Sequence, residues 1–213
     1  MSVKLPNGAF IYVAKDYEES VEVTAITNAN PAVATAQSHG LKKGDYIELT
    51  SGWNKINESI FRVGEVTTTT FELEAVDTTD TNTYPTGSSG GSVRKIKEWA
   101  QIQQITETST DGGEAQFVEY DFLEDDFQRR IPNGYSAMSI NLTIADDPTL
   151  EGYKVLKKAK TLRDLRALRF RLPNSSEILY NGFVSLNETP TTTKGDIMTV
   201  SASLALSSEP KRY

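Results

Sequence analysis

At 213 residues, with 38% hydrophobic and 24% charged side chains, the chain has the composition of a folded globular protein with one domain or two modest ones. Its 22 basic and 29 acidic residues, a formal net charge of −7, exclude the basic footprint of a nucleic-acid-binding protein. Cysteine is absent, which excludes disulfides and thiolate metal sites.

The N-terminal residues contain no secretory signal, and no stretch approaches the roughly 20 apolar residues of a membrane span. The sequence therefore predicts a protein that folds in a cytoplasm and does not enter a membrane.

Short segments rich in Val, Ile, Thr and aromatic residues, separated by Gly, Asn, Asp and Pro, predict a mostly β protein. The first strand is predicted at Ala9–Val13. Further strands are predicted at 45–49, 60–66 and 70–75, before a Gly/Ser-rich stretch at 86–92. These breaks predict that residues 22–96 form a small β-barrel module, inserted into a surface loop of a core made of residues 1–21 and 97–213.

An acidic segment follows, with seven carboxylates and no basic residue between Asp111 and Asp126. A calcium site is one interpretation, but the spacing does not match an EF-hand loop. We favour a solvated loop without a metal. Arg129 and Arg130 follow a few residues later, so the segment offers both signs of charge to a neighbouring subunit.

The rest of the chain predicts strand, helix, hairpin and strand. Alternation over 138–144 places Met138, Ile140, Leu142 and Ile144 on one buried face. A helix is predicted over about 148–161, with Asp147 as its N-cap and an apolar side formed by Leu150, Tyr153, Leu156, Ala159 and Leu162. Its lysines are interpreted as a solvated face, with a phosphate site as the alternative. The predicted fold is an antiparallel β-sandwich or barrel with one flanking helix.

Candidates for catalysis are weak. His39, the only histidine, lies in a predicted turn. Ser92 and Lys95 match an S-x-x-K pattern but lack its companion motifs and its helix. The glycines at 87, 90 and 91 lack the Lys-Ser/Thr ending of a phosphate loop. We expect no catalytic residue, cofactor or metal, and no enzyme.

The closing region carries a recognisable pattern. Ala167–Asn174 ends in Pro-Asn, Asn181–Leu186 has a Gly-aromatic-Val-Ser core, and Ser207–Pro210 closes the last strand. This pattern resembles the tail tube proteins of lambda-like, long-tailed, non-contractile phages, and the resemblance covers residues 1–20 and 97–210 in order. The segment 22–96 is similar, at its turns and strand centres, to a small β-barrel module of several phage structural proteins.

The resemblance implies a structural virion protein of the phage tail, assembled in the host bacterial cytoplasm. Six copies would form a ring, and rings would stack into a tube through which genomic DNA passes without specific binding. Tape measure, tail terminator and distal tail proteins would be further partners. By position, a loop from about Tyr120 to Tyr135 would reach between subunits and rings. Its candidate contact residues are Tyr120, Phe122, Leu123, Glu124, Asp125, Asp126, Phe127, Arg129, Arg130 and Ile131.

Two other functions remain open at this point. The Thr-, Ser- and Tyr-rich composition fits a carbohydrate- or receptor-binding β-module, which would present exposed aromatic residues, with Trp53 the best candidate. A hydrolase using Asp125 or Asp126 is the more distant alternative.

Overall fold

The computed structural model describes residues 8–124 and 126–213. These residues form a large antiparallel sheet, a separate two-stranded hairpin and one helix, so the predicted mostly β class is confirmed, although the large sheet is not a closed barrel. The strands are β1 Phe10–Tyr17, β2 Val21–Val23, β3 Ala25–Ile26, β4 Ala32–Thr35, β5 Tyr46–Ser51, β6 Ser59–Val66, β7 Thr70–Leu73, β8 Gly91–Ile102, β9 Ile105–Asp111, β10 Ala115–Tyr120, β11 Arg129–Tyr135, β12 Ser139–Ala145, β13 Leu165–Arg171, β14 Glu177–Asn187, β15 Thr199–Leu206 and β16 Lys211–Arg212, and the helix is α1 Glu151–Leu162. The long path of the sheet runs β3-β4-β7-β6-β5-β8-β1-β13-β14-β15-β12-β9, with β2 beside β8 and β16 beside β14.

The core of the C-terminal part follows from period-two alternation. In β12 the side chains of Ile140, Leu142 and Ile144 are buried, as predicted. They lie opposite Leu204, Ala202 and Val200 of β15. Strands β1, β8, β13 and β14 contribute apolar residues to the same cluster, so the two halves of this sheet region enclose one core.

Helix α1 closes that core, with Tyr153, Leu156 and Ala159 buried as predicted. The predicted N-cap is wrong. The Asp147 carboxylate instead accepts hydrogen bonds from the N–H (3.0 Å) and hydroxyl (2.6 Å) of Thr149, and the helix begins at Glu151. Leu162 was predicted on the buried side, but it is 52% exposed and is the last residue of the helix.

The segment predicted as a module has an apolar cluster of its own, built on Ile47, Trp53, Phe61 and Phe71. Strand β8 runs through both parts of the molecule. Its first half pairs with β2 and β5, and its second half pairs with β1. The boundary predicted at residue 96 therefore lies inside a continuous twelve-residue strand.

A third, smaller cluster lies where the two parts meet, with Ile60 of β6 against Ala167 and Leu179. Hydrogen bonds reinforce this contact. The Asn181 amide donates to the carbonyl of Glu58 at 2.8 Å, and the Tyr46 hydroxyl donates to the Glu177 carboxylate. Within the described residues, no helix is long and apolar enough to cross a membrane.

Candidate assembly surface

The segment predicted as a long loop is mostly a β-hairpin. Strand β10 pairs with β11, from Ala115 opposite Tyr135 to Tyr120 opposite Arg129, and the two form a sheet of their own. Only residues 121–128 connect them. The interpretation as an acidic loop missed this hairpin because its strands are short and almost fully solvated, so burial imposes no clean alternation on them.

The hairpin exposes a large apolar surface. At least half of each of these side chains is solvent-accessible: Phe117, Val118, Phe122, Leu123, Phe127, Ile131 and Tyr135. A two-stranded ribbon buries too little area to cover such residues itself. Burying one Leu or Phe stabilises by about 1.5–3 kcal/mol, so several of them together favour contact with another surface.

The charges of the hairpin partly neutralise one another. Arg130 pairs with Glu119 across the two strands at 2.5 Å, so the predicted pairing of Arg130 with a carboxylate of a neighbouring subunit is not needed to explain its position. Asp121, Glu124 and Asp126 lie in the exposed connection. Asp125, also a candidate, lies outside the described residues. The ring of Phe122 packs edge-on against Tyr120, with centroids 5.6 Å apart.

The two chain segments that lead into and out of the hairpin are held close together at its base. Gly112 has φ +79°, and a Cβ there would lie 1.8 Å from the carbonyl oxygen of Ala137. A side chain at this position is therefore excluded both by the left-handed backbone and by the neighbouring chain. The Glu114 carbonyl accepts a hydrogen bond from the N–H of Ser136 at 2.9 Å, which closes the ladder at this end.

A second surface is the outward face of β9, β12, β15 and β14. Cross-strand register aligns its side chains in three rows. The rows are Glu107-Thr143-Ser201-Asn187, Ser109-Asn141-Ser203-Ser185 and Asp111-Ser139-Ala205-Phe183. None of the four strands contains Lys or Arg. The face is thus hydroxyl- and amide-rich, with its acidic groups on β9, the last strand on the described path of the sheet.

We did not predict this face as a functional site from the sequence. The available signal was the absence of cations from four strands in a chain with 22 basic residues. The four strands form one surface without cations only because strand pairing places them side by side, and the sequence does not show that pairing.

The residues considered as weak catalytic candidates lie in surroundings that do not form a catalytic site. His39 is buried, its Nδ1 accepts the N–H of Leu41 (3.1 Å), and its Nε2 donates to the carbonyl of Thr67 (3.2 Å). Ser92 and Lys95 are three residues apart on β8 and so point to opposite faces. Residues 8–124 and 126–213 contain no group of three or more His, Asp or Glu placed to hold a metal ion.

The aromatic candidate for ligand binding is also structural. Trp53 is 2% exposed, its indole N–H donates to the carbonyl of Pro85 at 2.7 Å, and its ring packs against Tyr84. A buried indole offers no platform for a sugar, so Trp53 does not supply the exposed aromatic residue that a binding module would present.

Comparison with known families matches residues 51–213 to the family described as "Phage tail tube protein, TTP". The match covers well over half of the chain and includes the hairpin, α1 and the cation-free face. No curated protein matches the chain.

Proposed function

Because the chain belongs to the phage tail tube protein family, we propose that six copies assemble into a ring and that the rings stack into the tube that conducts the genome during delivery. The family is structural, and the protein is accordingly a tail component of a virion.

The exposed apolar hairpin carries this proposal. Leu123 is fully solvent-accessible in a single copy, and Phe127 is 74% exposed. Their burial against a second copy would recover free energy that one chain leaves unused. The hairpin residues predicted from the sequence, including Glu124 and Asp126, are thus proposed as the contact between subunits and rings.

The cation-free face supports the proposal that the tube conducts DNA. A basic wall would hold DNA by releasing counterions from its phosphates, whereas a neutral or acidic wall gives no such attraction. We assign the three rows, centred on Asn141 and Ser203, to the lumen. Among residues 8–124 and 126–213, the edge strand β9 has a strand partner on one side only, and a neighbouring sheet could continue the wall through the other side.

The remaining partners follow from the same proposal. We propose tape measure, tail terminator and distal tail proteins as the further partners of the tube. Assembly would take place in the host bacterial cytoplasm.

Electron microscopy of the purified protein tests the proposal. We expect concentrated protein to form tubes or six-membered rings in negative stain. A protein that remains monomeric in the microscope and in sedimentation velocity, at every concentration reached, would overturn it. Rings of another symmetry would correct the number six alone.

A further inference from the structure

The exposed side of α1 carries a row of two cations and one apolar residue, Lys154, Lys158 and Leu162. Spacing of four residues aligns them along one stripe of the helix. Neither lysine of the row has an ion-pair partner among residues 8–124 and 126–213. Leu162 is 52% exposed at the end of the row.

The neighbouring lysines of the helix differ. Lys157 and Lys160 both bind the Glu188 carboxylate, at 2.6 and 3.0 Å. Glu188 thereby raises the pKa of Lys157. The helix thus has one stripe whose two lysines share a carboxylate and one stripe whose lysines have no ion-pair partner among the described residues.

The hairpin connection has the complementary pattern. Asp121 and Glu124 flank Phe122 and Leu123, and neither carboxylate has an ion-pair partner within the described part of the chain. Two carboxylates beside two exposed apolar side chains match two ammonium groups beside an exposed leucine.

The hairpin also has the reach to meet another copy. Six residues of β10 at about 3.3 Å each carry the connection roughly 20 Å from its base at Ser136. That distance is about twice the spacing of packed sheets, so the hairpin is long enough to carry the connection past its own core.

We propose that the segment Asp121–Glu124 of one copy docks on the Lys154–Lys158–Leu162 row of a second copy. This inference rests on the proposed tube assembly and names the receptor surface for its hairpin. Asp121 and Glu124 face the two lysines, and Leu123 packs against Leu162.

Charges elsewhere in the described chain favour α1 over the module as the receptor. Among the module's cations, all but Lys42 already bind a carboxylate of the same chain. These pairs are Lys43 with Glu65, Lys55 with Glu209, Arg62 with Glu74, Arg94 with Glu48 and Lys95 with Asp45. The acidic connection would gain little electrostatic attraction from module cations that are already paired with carboxylates.

Charge reversal tests the proposal in the full chain. Lys154→Glu with Lys158→Glu should raise the protein concentration needed for tube formation roughly tenfold, because two attractions become repulsions. Asp121→Lys with Glu124→Lys should do the same. A chain carrying all four changes should assemble at nearly the wild-type concentration.

The matched control is Lys42→Glu with Lys97→Glu, which changes the same charge at exposed lysines elsewhere and should leave assembly unchanged. Circular dichroism and thermal melting establish that each variant is folded. The docking assignment is wrong if the Lys154→Glu, Lys158→Glu variant assembles at the same concentration as the control. It is also wrong if the variant with all four changes needs as high a concentration for assembly as the two double variants.

Cross-linking gives an independent readout, since the chain has no cysteine of its own. Assembly of Leu123→Cys protein mixed with Leu162→Cys protein, followed by oxidation, should give a disulfide-linked dimer on a non-reducing gel. Leu123→Cys mixed with Lys42→Cys should not. Equal dimer in both mixtures would overturn the proposal.

Different results would contradict the proposed tube assembly and the proposed docking on α1. Wild-type protein that forms no ring or tube removes the assembly function and this inference with it. Wild-type tubes that persist in the α1 reversal variant remove only the docking assignment.

Discussion

At the residue scale, one arginine joins the two parts of the molecule. Arg62 of β6 binds Glu74 through two hydrogen bonds of 2.5 and 2.6 Å and lies over the ring of Tyr213, 4.7 Å from its centroid. The Tyr213 hydroxyl accepts the Arg62 N–H (3.2 Å) and donates to the carbonyl of Glu74 (3.3 Å). Tyr213 in turn extends the C-terminal pairing with Glu177.

This contact predicts an acid-sensitive contribution to stability. Arg62 lowers the pKa of Glu74 below its ordinary value of 4.5. A depressed carboxyl pKa stabilises the fold above the unfolded pKa, and that stabilisation is lost as the pH falls through the folded value. Glu74→Gln should therefore lower the unfolding free energy near neutral pH by no more than about 1 kcal/mol, because the pair is partly solvent-screened.

The difference between Glu74→Gln and wild type should shrink below pH 4.5 in thermal melts. Glu22→Gln, at an exposed position of β2, is the control and should melt like wild type at every pH. A deficit that is the same across the acid range would show that the charge of Glu74 is not the cause.

At the element scale, the hairpin and the core have separate sources of stability. The core is held by α1 and the enclosed sheet, while β10 and β11 pair with each other. Gly112 joins the two at a point where no side chain fits. The hairpin can therefore change without repacking the core.

Replacing residues 116–134 by Asn-Gly should leave the core folded and abolish tube formation. Ala115 and Tyr135 are already opposite one another, so a two-residue turn can join them. Circular dichroism and melting temperature should match those of wild type, while electron microscopy should show no tubes. Normal tubes from this variant would rule out the hairpin as the assembly contact.

At the scale of the whole molecule, charge is distributed by face. The row of Ser109, Asn141, Ser203 and Ser185 lies within four strands that have no cation, while lysines lie on α1. Such a distribution allows subunit contacts to use both signs of charge and leaves the proposed lumen without a site that attracts phosphate.

Lysines introduced on that row should convert the proposed conduit into a DNA-binding surface. Ser109→Lys with Ser185→Lys should increase retention of short duplex DNA by assembled tubes at least about tenfold at low salt, and salt should abolish the gain. Thr68→Lys with Thr81→Lys, on the module, provides the control in a filter-binding or co-sedimentation assay. Equal retention by both variants would place the row outside the lumen.

The module gives a second prediction for the whole molecule. Replacing residues 22–90 by a Gly/Ser linker keeps β8 intact and should leave a core that folds and assembles. It should unfold at a lower temperature, because Leu179 loses the cover of Ile60, a contribution of roughly 2 kcal/mol. Thermal melting and electron microscopy check both parts. An insoluble product would show that the two parts fold only as one unit.

The candidate hairpin shows how far sequence reasoning reached in the site. The family resemblance predicted that residues such as Phe122 and Arg130 belong to a contact segment, which stays a prediction. The strand pairing that joins Arg130 to Glu119 did not emerge, because a solvated ribbon has no buried face to impose periodicity. The lysines of α1 were interpreted as a solvated face, whereas Leu162 was predicted on the buried side. Its exposure at the last position of the helix did not follow from the periodicity.

By itself the sequence determined the β class, the buried face of β12 and the inner side of α1. These properties are local, because alternation of period two or about 3.6 reports which side chains leave water. Only the tertiary structure decided that β8 serves both parts of the chain and that β9, β12, β15 and β14 form one cation-free face. Strand partners are selected by contacts between residues far apart in sequence, and no local pattern encodes which strands become neighbours.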